Sequence, residues 1–382
     1  MEYHRKMDTV EKLKVLSRDS QYDLACACGT GKDEHRRRGL DGKWLYPVAL
    51  PQGGFTVLFK TLLSNACAND CKYCPLRLDN HLSNIRRCTL QPEEAARVFM
   101  DYYRRKKVFG LFLSSAVIGT PDYTMERINA VARLLRERHA FKGYMHLKVI
   151  PGASDAAIEE ALSLSTAVSL NIETPGKNHF ANLTSKKDYE KDIMRPMRLM
   201  GRLTGKGMPF SNVKCTTQFI VGASDETDSE IIDRSFDLYK GMNFKRVYFS
   251  SYQKGLGAPE IPGERQFLAA PEMPFVREHR LYQVDFLIRR YAFKRDDILL
   301  DKEGNLRLDK DPKELWAESH PEFFPVRINR AERDALLRVP GLGPETADLI
   351  LTARREGKIK DLKDLGLKGK RAEKIKGYII ME

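Results

Sequence analysis

The sequence predicts an α/β protein built on a parallel sheet. Two observations carry this: six apolar stretches of strand length, and helical segments that alternate with them. The stretch 55–64 reads as a buried strand, and 92–105 as a helix with proline in its first turn. Strand 111–117 follows, then helix 121–139 with Thr120 as its N-cap. Strand 145–150 precedes a helix capped by Ser154, and strand 167–173 precedes a helix over 189–203. Strand 215–221, helix 228–239 and strand 246–251 complete the series. Right-handed crossovers would order these strands into an open sheet or a partial barrel, with ligand chemistry at the strands' C-terminal ends.

Composition narrows the class. The chain has 382 residues, enough for one large domain and a smaller one, and 42% of them are hydrophobic, enough for a core. Lys and Arg number 65 against 52 Asp and Glu, a formal charge of +13. This favours a polyanionic partner such as nucleic acid, the alternative being a generally basic cytosolic protein. No apolar run approaches the roughly 20 residues that span a bilayer. The charged segment 1–14 lacks the apolar stretch of a signal peptide. The expectation is a cytoplasmic protein without a membrane partner. In that compartment seven cysteines are not a disulfide framework.

Three cysteines cluster directly after the first predicted strand, as Cys67-Ala68-Asn69-Asp70-Cys71-Lys72-Tyr73-Cys74-Pro75. Thiolates are soft, strongly donating ligands, and three on one short loop can reach three corners of one iron–sulfur cubane. The fourth iron is then open to a cofactor. A zinc site is the alternative, with Cys88 or His81 as fourth ligand, but its closed four-ligand form fits poorly after strand one of such an array.

The Cys-x3-Cys-x2-Cys spacing, with an aromatic before the last cysteine, resembles the radical SAM superfamily. The resemblance implies a partial (β/α)6 barrel, a [4Fe–4S] cluster on Cys67, Cys71 and Cys74, and S-adenosylmethionine chelated by the free iron. One electron then splits the S–C5′ bond to a 5′-deoxyadenosyl radical. The resemblance further implies that Tyr73 lies beside the adenine and that Ser114 and Ser115 meet the methionine amine, where the family usually has a Gly-Gly-Glu-like segment. Ser169, Asn171 and Glu173 alternate onto one face of their strand. They would bond the ribose hydroxyls or, alternatively, one another. The segment Gln218-Phe219-Ile220-Val221-Gly222 resembles the adenine-binding strand, Gly222 allowing close backbone approach. Among the remaining cysteines, Cys215 is expected in the core. Cys26 and Cys28 are candidates for substrate contact.

The C-terminal segment Val339-Pro340-Gly341-Leu342-Gly343-Pro344-Glu345-Thr346-Ala347 resembles a helix–hairpin–helix motif. Gly341, Leu342 and Gly343 would offer backbone N–H groups to phosphate, together with a helix N-terminus. Gly341, Leu342, Ala347 and Ile350 recur 25 residues later as Gly366, Leu367, Ala372 and Ile375. The second copy adds Lys368, Lys370 and Arg371, suited to phosphates. From 326 to 382 the count is 14 Lys and Arg against 9 Asp and Glu, or +5. A helical protein-interaction module is the alternative.

The expected organisation is an N-terminal extension (1–54), a radical SAM core (55–255), a helical extension and linker (256–325) and a small all-α helix–hairpin–helix module (326–382). With Arg277-Glu278-His279-Arg280-Leu281-Tyr282-Gln283 and His320-Pro321-Glu322-Phe323-Phe324-Pro325-Val326, the whole chain resembles a radical SAM family associated with DNA modification or repair. That family is often encoded beside a uracil-DNA-glycosylase-like protein. The resemblance implies nucleic acid as partner, DNA before tRNA, and a reductant such as a flavodoxin or ferredoxin. A tRNA-modifying enzyme, or a nucleic-acid-binding protein with a structural cluster, are the alternatives.

Overall fold

The computed structural model describes residues 7–23, 44–50, 54–80, 85–265 and 273–382. Cys26, Cys28 and His81 lie outside these residues. The chain divides into two compact units, 1–226 with 237–278, and 227–236 with 279–382.

The first unit holds a seven-stranded sheet in simple sequence order. β1 (Leu45–Ala49) pairs antiparallel with β2 (Phe55–Leu62). From β2 the sheet is parallel through β3 (Gly110–Ser114), β4 (Tyr144–Lys148), β5 (Ala167–Ser169), β6 (Lys214–Val221) and β7 (Arg246–Ser251). The six parallel strands match the six stretches of the sequence; β1, interrupted by Pro47, is an added edge. α1 (Thr9–Asp19) begins with a capping box between Asp8 and Glu11. α2 (Pro92–Arg104) and α3 (Pro121–Arg133) each begin with proline, and the Thr120 hydroxyl accepts from Tyr123 N–H at 3.2 Å. α4 (Asp155–Leu164) starts after Ser154, whose side chain makes no capping bond. α5 (Lys177–Leu183) fills the connection before α6 (Arg195–Leu203), where no helix was expected. α7 (Asp228–Gly241) leads to β7, then come the single turn α8 (Pro262–Arg265) and α9 (Met273–Arg290). None of the helices described is long and apolar enough to cross a membrane.

β5 is shorter than expected. It ends at Ser169, and the chain touches β6 again only through a bridge from Glu173 to Phe219. Glu173 takes φ +65°, a left-handed conformation unusual for a non-glycine residue. Ser169 therefore does not continue one face through Asn171 to Glu173. Its hydroxyl lies 2.9 Å from His146 Nε2.

The second unit contains α10 (Pro312–Ser319), α11 (Arg333–Arg338), α12 (Pro344–Glu356) and α13 (Gly369–Lys376). Parallel β8 (Val326–Arg327) and β9 (Ile379–Ile380) close it. The stretch 279–325, expected as extension and linker, packs into this unit. Asp228 accepts from Leu306 N–H at 2.9 Å, Arg338 pairs with Asp297 at 2.8 Å, and buried Lys313 donates to Leu342 O at 2.6 Å. The Leu342 side chain is 1% exposed in the core and its N–H donates to Val339 O at 3.1 Å, so neither is offered to a ligand. Arg371 is also engaged internally, donating to Gly341 O at 3.0 Å and to Thr346 Oγ1 at 2.7 Å. It braces the first turn rather than standing free.

Candidate active site

The cysteine loop leaves β2 at the sheet's C-terminal edge and is pinned on both sides. Ala68 N–H donates to Val117 O at 2.8 Å, and Lys72 N–H to Leu183 O at 2.8 Å. Segment 183–187, just after α5, grips the loop from outside. Thr184 Oγ1 donates to Asp70 Oδ1 at 2.5 Å, Ser185 N–H and Oγ donate to Asp70 Oδ2 at 2.8 and 2.6 Å, and Lys186 donates to Ala68 O at 2.9 Å. Partial burial works against the Asp70 carboxylate, but the Ser185 and Thr184 donors hold its pKa down at about 2.

Cys67, Cys71 and Cys74 open into one cavity of about 170 Å³. One water needs on the order of 10–15 Å³, so this space is sized for a ligand. Its other walls include Ser114 at the end of β3 and Ser115 after it, Lys148 at the end of β4, and Asn171 and Glu173 after β5. Tyr73 lines it too, its hydroxyl within reach of the Glu173 carboxylate. Gly222 does not line this cavity. It turns the chain at φ +84° and donates its N–H to Glu226 at 2.6 Å. Ser169 likewise stands apart.

Four charged residues of the cavity are not singled out by the sequence: Asp19, Asp23, Lys148 and Lys187. Lys148 donates to Asp23 at 2.9 Å and to Asn171 Oδ1 at 2.6 Å. Burial opposes the Asp23 charge, yet Lys148 and the Ser114 hydroxyl keep its pKa below the ordinary value. Lys187 faces Cys71. Burial pushes the Cys71 thiol up and the Lys187 ammonium pulls it back. The same ammonium stays charged against burial because Cys71 and Glu173 surround it. A lysine at an inward position of an apolar strand, as at Lys60 and Lys148, is a signal that sequence alternation does contain.

The donors fit an iron–sulfur cluster with a bound cofactor. Three soft thiols share one loop and open into one cavity. Cys88 is buried beside Lys12 and Asp19 and does not itself line the cavity, and Cys215 is buried in the core near Thr204. Neither completes a four-ligand zinc site. Glu173 is 5% exposed, and its Oε2 has no hydrogen-bond partner among the described residues. Such an atom calls for a donor, which a ribose hydroxyl would supply. The cluster and S-adenosylmethionine together supply reductive generation of a carbon radical. Cys67, Cys71 and Cys74 would hold the cluster, with Lys187 offsetting thiolate charge. Tyr73, Ser114, Ser115, Asn171 and Glu173 would orient the cofactor.

The radical SAM superfamily model matches residues 61–235, which begin in β2 and run into α7. No curated protein matches the chain. Similar solved structures include HydG, a maturase of the [FeFe]-hydrogenase, at 14% identity and TM-score 0.43, covering 59% of this chain and 49% of that one. Methylornithine synthase (PylB) shares 13% identity at TM-score 0.44, covering 59% and 62%. HydG from Carboxydothermus hydrogenoformans shares 14% at TM-score 0.45, covering 84% and 76%. The chain thus spans less than two thirds of the first two structures. With the cysteine loop, the donor walls and the family model on one segment, residues 61–235 are a radical SAM superfamily domain, of a family that uses a [4Fe–4S] cluster and S-adenosylmethionine.

Proposed function

We propose that this enzyme acts on a nucleotide of nucleic acid, DNA before tRNA, in modification or repair. The observation that carries the reading is a repeated turn-and-helix unit at the C-terminus. Gly341 at φ +86° precedes α12, and Gly366 at φ +71° precedes α13. Positive φ favours glycine, and a free N–H in a turn before a helix suits a phosphate; in the second turn the Gly366 and Leu367 N–H groups are already engaged, donating to Lys363 O and Leu362 O at 2.9 and 3.1 Å. The N–H groups of Gly341 and Gly343 donate to no acceptor among the described residues. Lys368 and Lys370 are exposed beside the second turn. Contacts of this kind hold a backbone without reading its sequence.

A radical formed within a cavity cannot reach a stacked base, so the target is unpaired or extruded at a cost of a few kcal/mol, least at lesions and mismatches. A flavodoxin or ferredoxin as electron donor, and a uracil-DNA-glycosylase-like protein as functional neighbour, belong to the same proposal. Crosslinking in cells with identification of the bound nucleic acid tests it. Recovery of DNA supports the reading; recovery of tRNA alone moves the substrate to RNA.

A further inference from the structure

At the end of the sheet remote from the cysteine loop lies a second cleft, about 550 Å³, that the active site does not use. Thr56 and Val57 of β2, the last turn of α2 and residues 106–109 enclose it. The chain there reads Tyr103-Arg104-Arg105-Lys106-Lys107-Val108-Phe109, and residues 103–107 are all exposed. Arg105 pairs with Asp101 at 3.0 Å. Arg104, Lys106 and Lys107 have no carboxylate partner among the described residues.

Attraction to the helix dipole accounts for a basic residue in the last turn of α2, such as Arg104. It does not account for Lys106 and Lys107, which lie past the helix. Lys106 moreover takes φ +56°. Its N–H donates to Tyr103 O at 2.9 Å and that of Lys107 to Tyr102 O at 3.0 Å, the paired bonds of a left-handed helix closure. Glycine suits that position because it has no Cβ to strain. Lysine keeps the strain and sets a charge on the rim of the cleft.

Two aromatic rings stand beside these charges on rigid supports. Tyr103 stacks on Phe99 at 6.0 Å and meets Phe141 edge-on at 4.8 Å, yet remains 36% exposed. Phe109 stacks on Tyr144 at 5.7 Å and is 51% exposed. Cations that track phosphates, interleaved with fixed rings on which bases stack, are the elements of single-strand binding.

We propose that this cleft is a second nucleic-acid contact, holding the phosphates of a single strand on Arg104, Lys106 and Lys107 and its bases against Tyr103 and Phe109. The proposal rests on the nucleic-acid reading above. An acidic electron-donor protein is the other partner that such charge attracts. β2 spans eight residues between the cleft and the cysteine loop, about 26 Å at roughly 3.3 Å per residue. A donor seated in the cleft would face the wrong end of the sheet.

The test is fluorescence anisotropy of labelled single-stranded DNA with the full-length, anaerobically reconstituted protein, across a salt series. The variant Arg104→Glu/Lys106→Glu/Lys107→Glu should bind about tenfold or more weakly at low salt. Its log–log salt slope should be shallower by about 2, since each phosphate contact contributes roughly 0.7. Lys106→Gly relieves backbone strain, so it should raise the unfolding midpoint while still making the slope shallower by about 0.7. Lys368→Glu/Lys370→Glu serves as the reference for the hairpin unit. Unchanged affinity and slope in both cleft variants, with weaker binding by the hairpin variant, would overturn the cleft proposal and leave the nucleic-acid reading standing. No binding by the unaltered protein would overturn both. Unchanged DNA binding with lost cluster reduction by a flavodoxin would assign the cleft to a donor protein instead.

Discussion

Thr184 donates its hydroxyl to Asp70 at 2.5 Å, so a residue just after α5 fixes the loop that carries all three cluster cysteines. With Ser185 on the other carboxylate oxygen, Asp70 receives three hydrogen bonds. Asp70→Ala should therefore loosen the loop without removing a ligand. The expected result is a reconstituted protein with less iron per chain and faster cluster loss in air. The expected fall in stability is about 1–2 kcal/mol, reduced by solvent screening from the value of a buried charged hydrogen bond. Iron content and thermal melts check this; iron content and lifetime equal to the unaltered protein would show that the clamp does not matter.

Glu173 combines burial, a left-handed backbone and an orphaned Oε2 in the wall of the cysteine cavity. Glu173→Ala should weaken S-adenosylmethionine binding about tenfold, equivalent to roughly 1.4 kcal/mol, with the cluster retained. Equilibrium binding and the cluster's absorption spectrum separate the two effects. Unaltered affinity would remove Glu173 from the cofactor site.

Much of this site is legible locally. The cysteine triplet, the serines at the end of β3, and Asn171 and Glu173 each announce themselves by type and position within a few residues. Asp23 and Lys187 do not, because they reach the cavity from segments whose placement depends on tertiary packing. Alternation suggested a strand through 173, whereas the chain leaves the sheet after Ser169 and re-enters at a single bridge. The compact units divide at 278/279, with 227–236 joined to the second. Asp228 with Leu306 and Lys313 with Leu342 are nonlocal contacts that composition does not reveal.

Lys60 lies 1% exposed on β2, its ammonium 4.4 Å from the centre of the Tyr46 ring. Burial pulls its pKa down to about 7, Asp23 opposing and Lys148 reinforcing that shift. An unfolded lysine titrates near 10.4. Between these values the unfolded chain binds more protons, so this residue makes stability rise with pH from about 7 to about 10. Lys60→Met should be more stable near neutral pH by about 1–4 kcal/mol, with the advantage shrinking toward pH 10. Melting curves across that window test it; a pH-independent difference would show that Lys60 is not titrating there.

Lys368→Glu/Lys370→Glu should weaken duplex binding across all sequences and make the salt slope shallower by about 2, at roughly 0.9 per phosphate contact. Cluster content and S-adenosylmethionine cleavage without nucleic acid should be unchanged, since these lysines lie in the second compact unit. A sequence-dependent loss would contradict backbone-only contact.

The most direct measurement is 5′-deoxyadenosine formed by the reconstituted, chemically reduced protein across intact, mismatched, uracil-containing and single-stranded DNA, alongside tRNA. The account predicts formation that depends on Cys67, Cys71 and Cys74 and is stimulated more by damaged, mismatched or unpaired DNA than by intact duplex. Equal stimulation by intact duplex would contradict the repair reading. Stimulation by tRNA alone would contradict the DNA assignment.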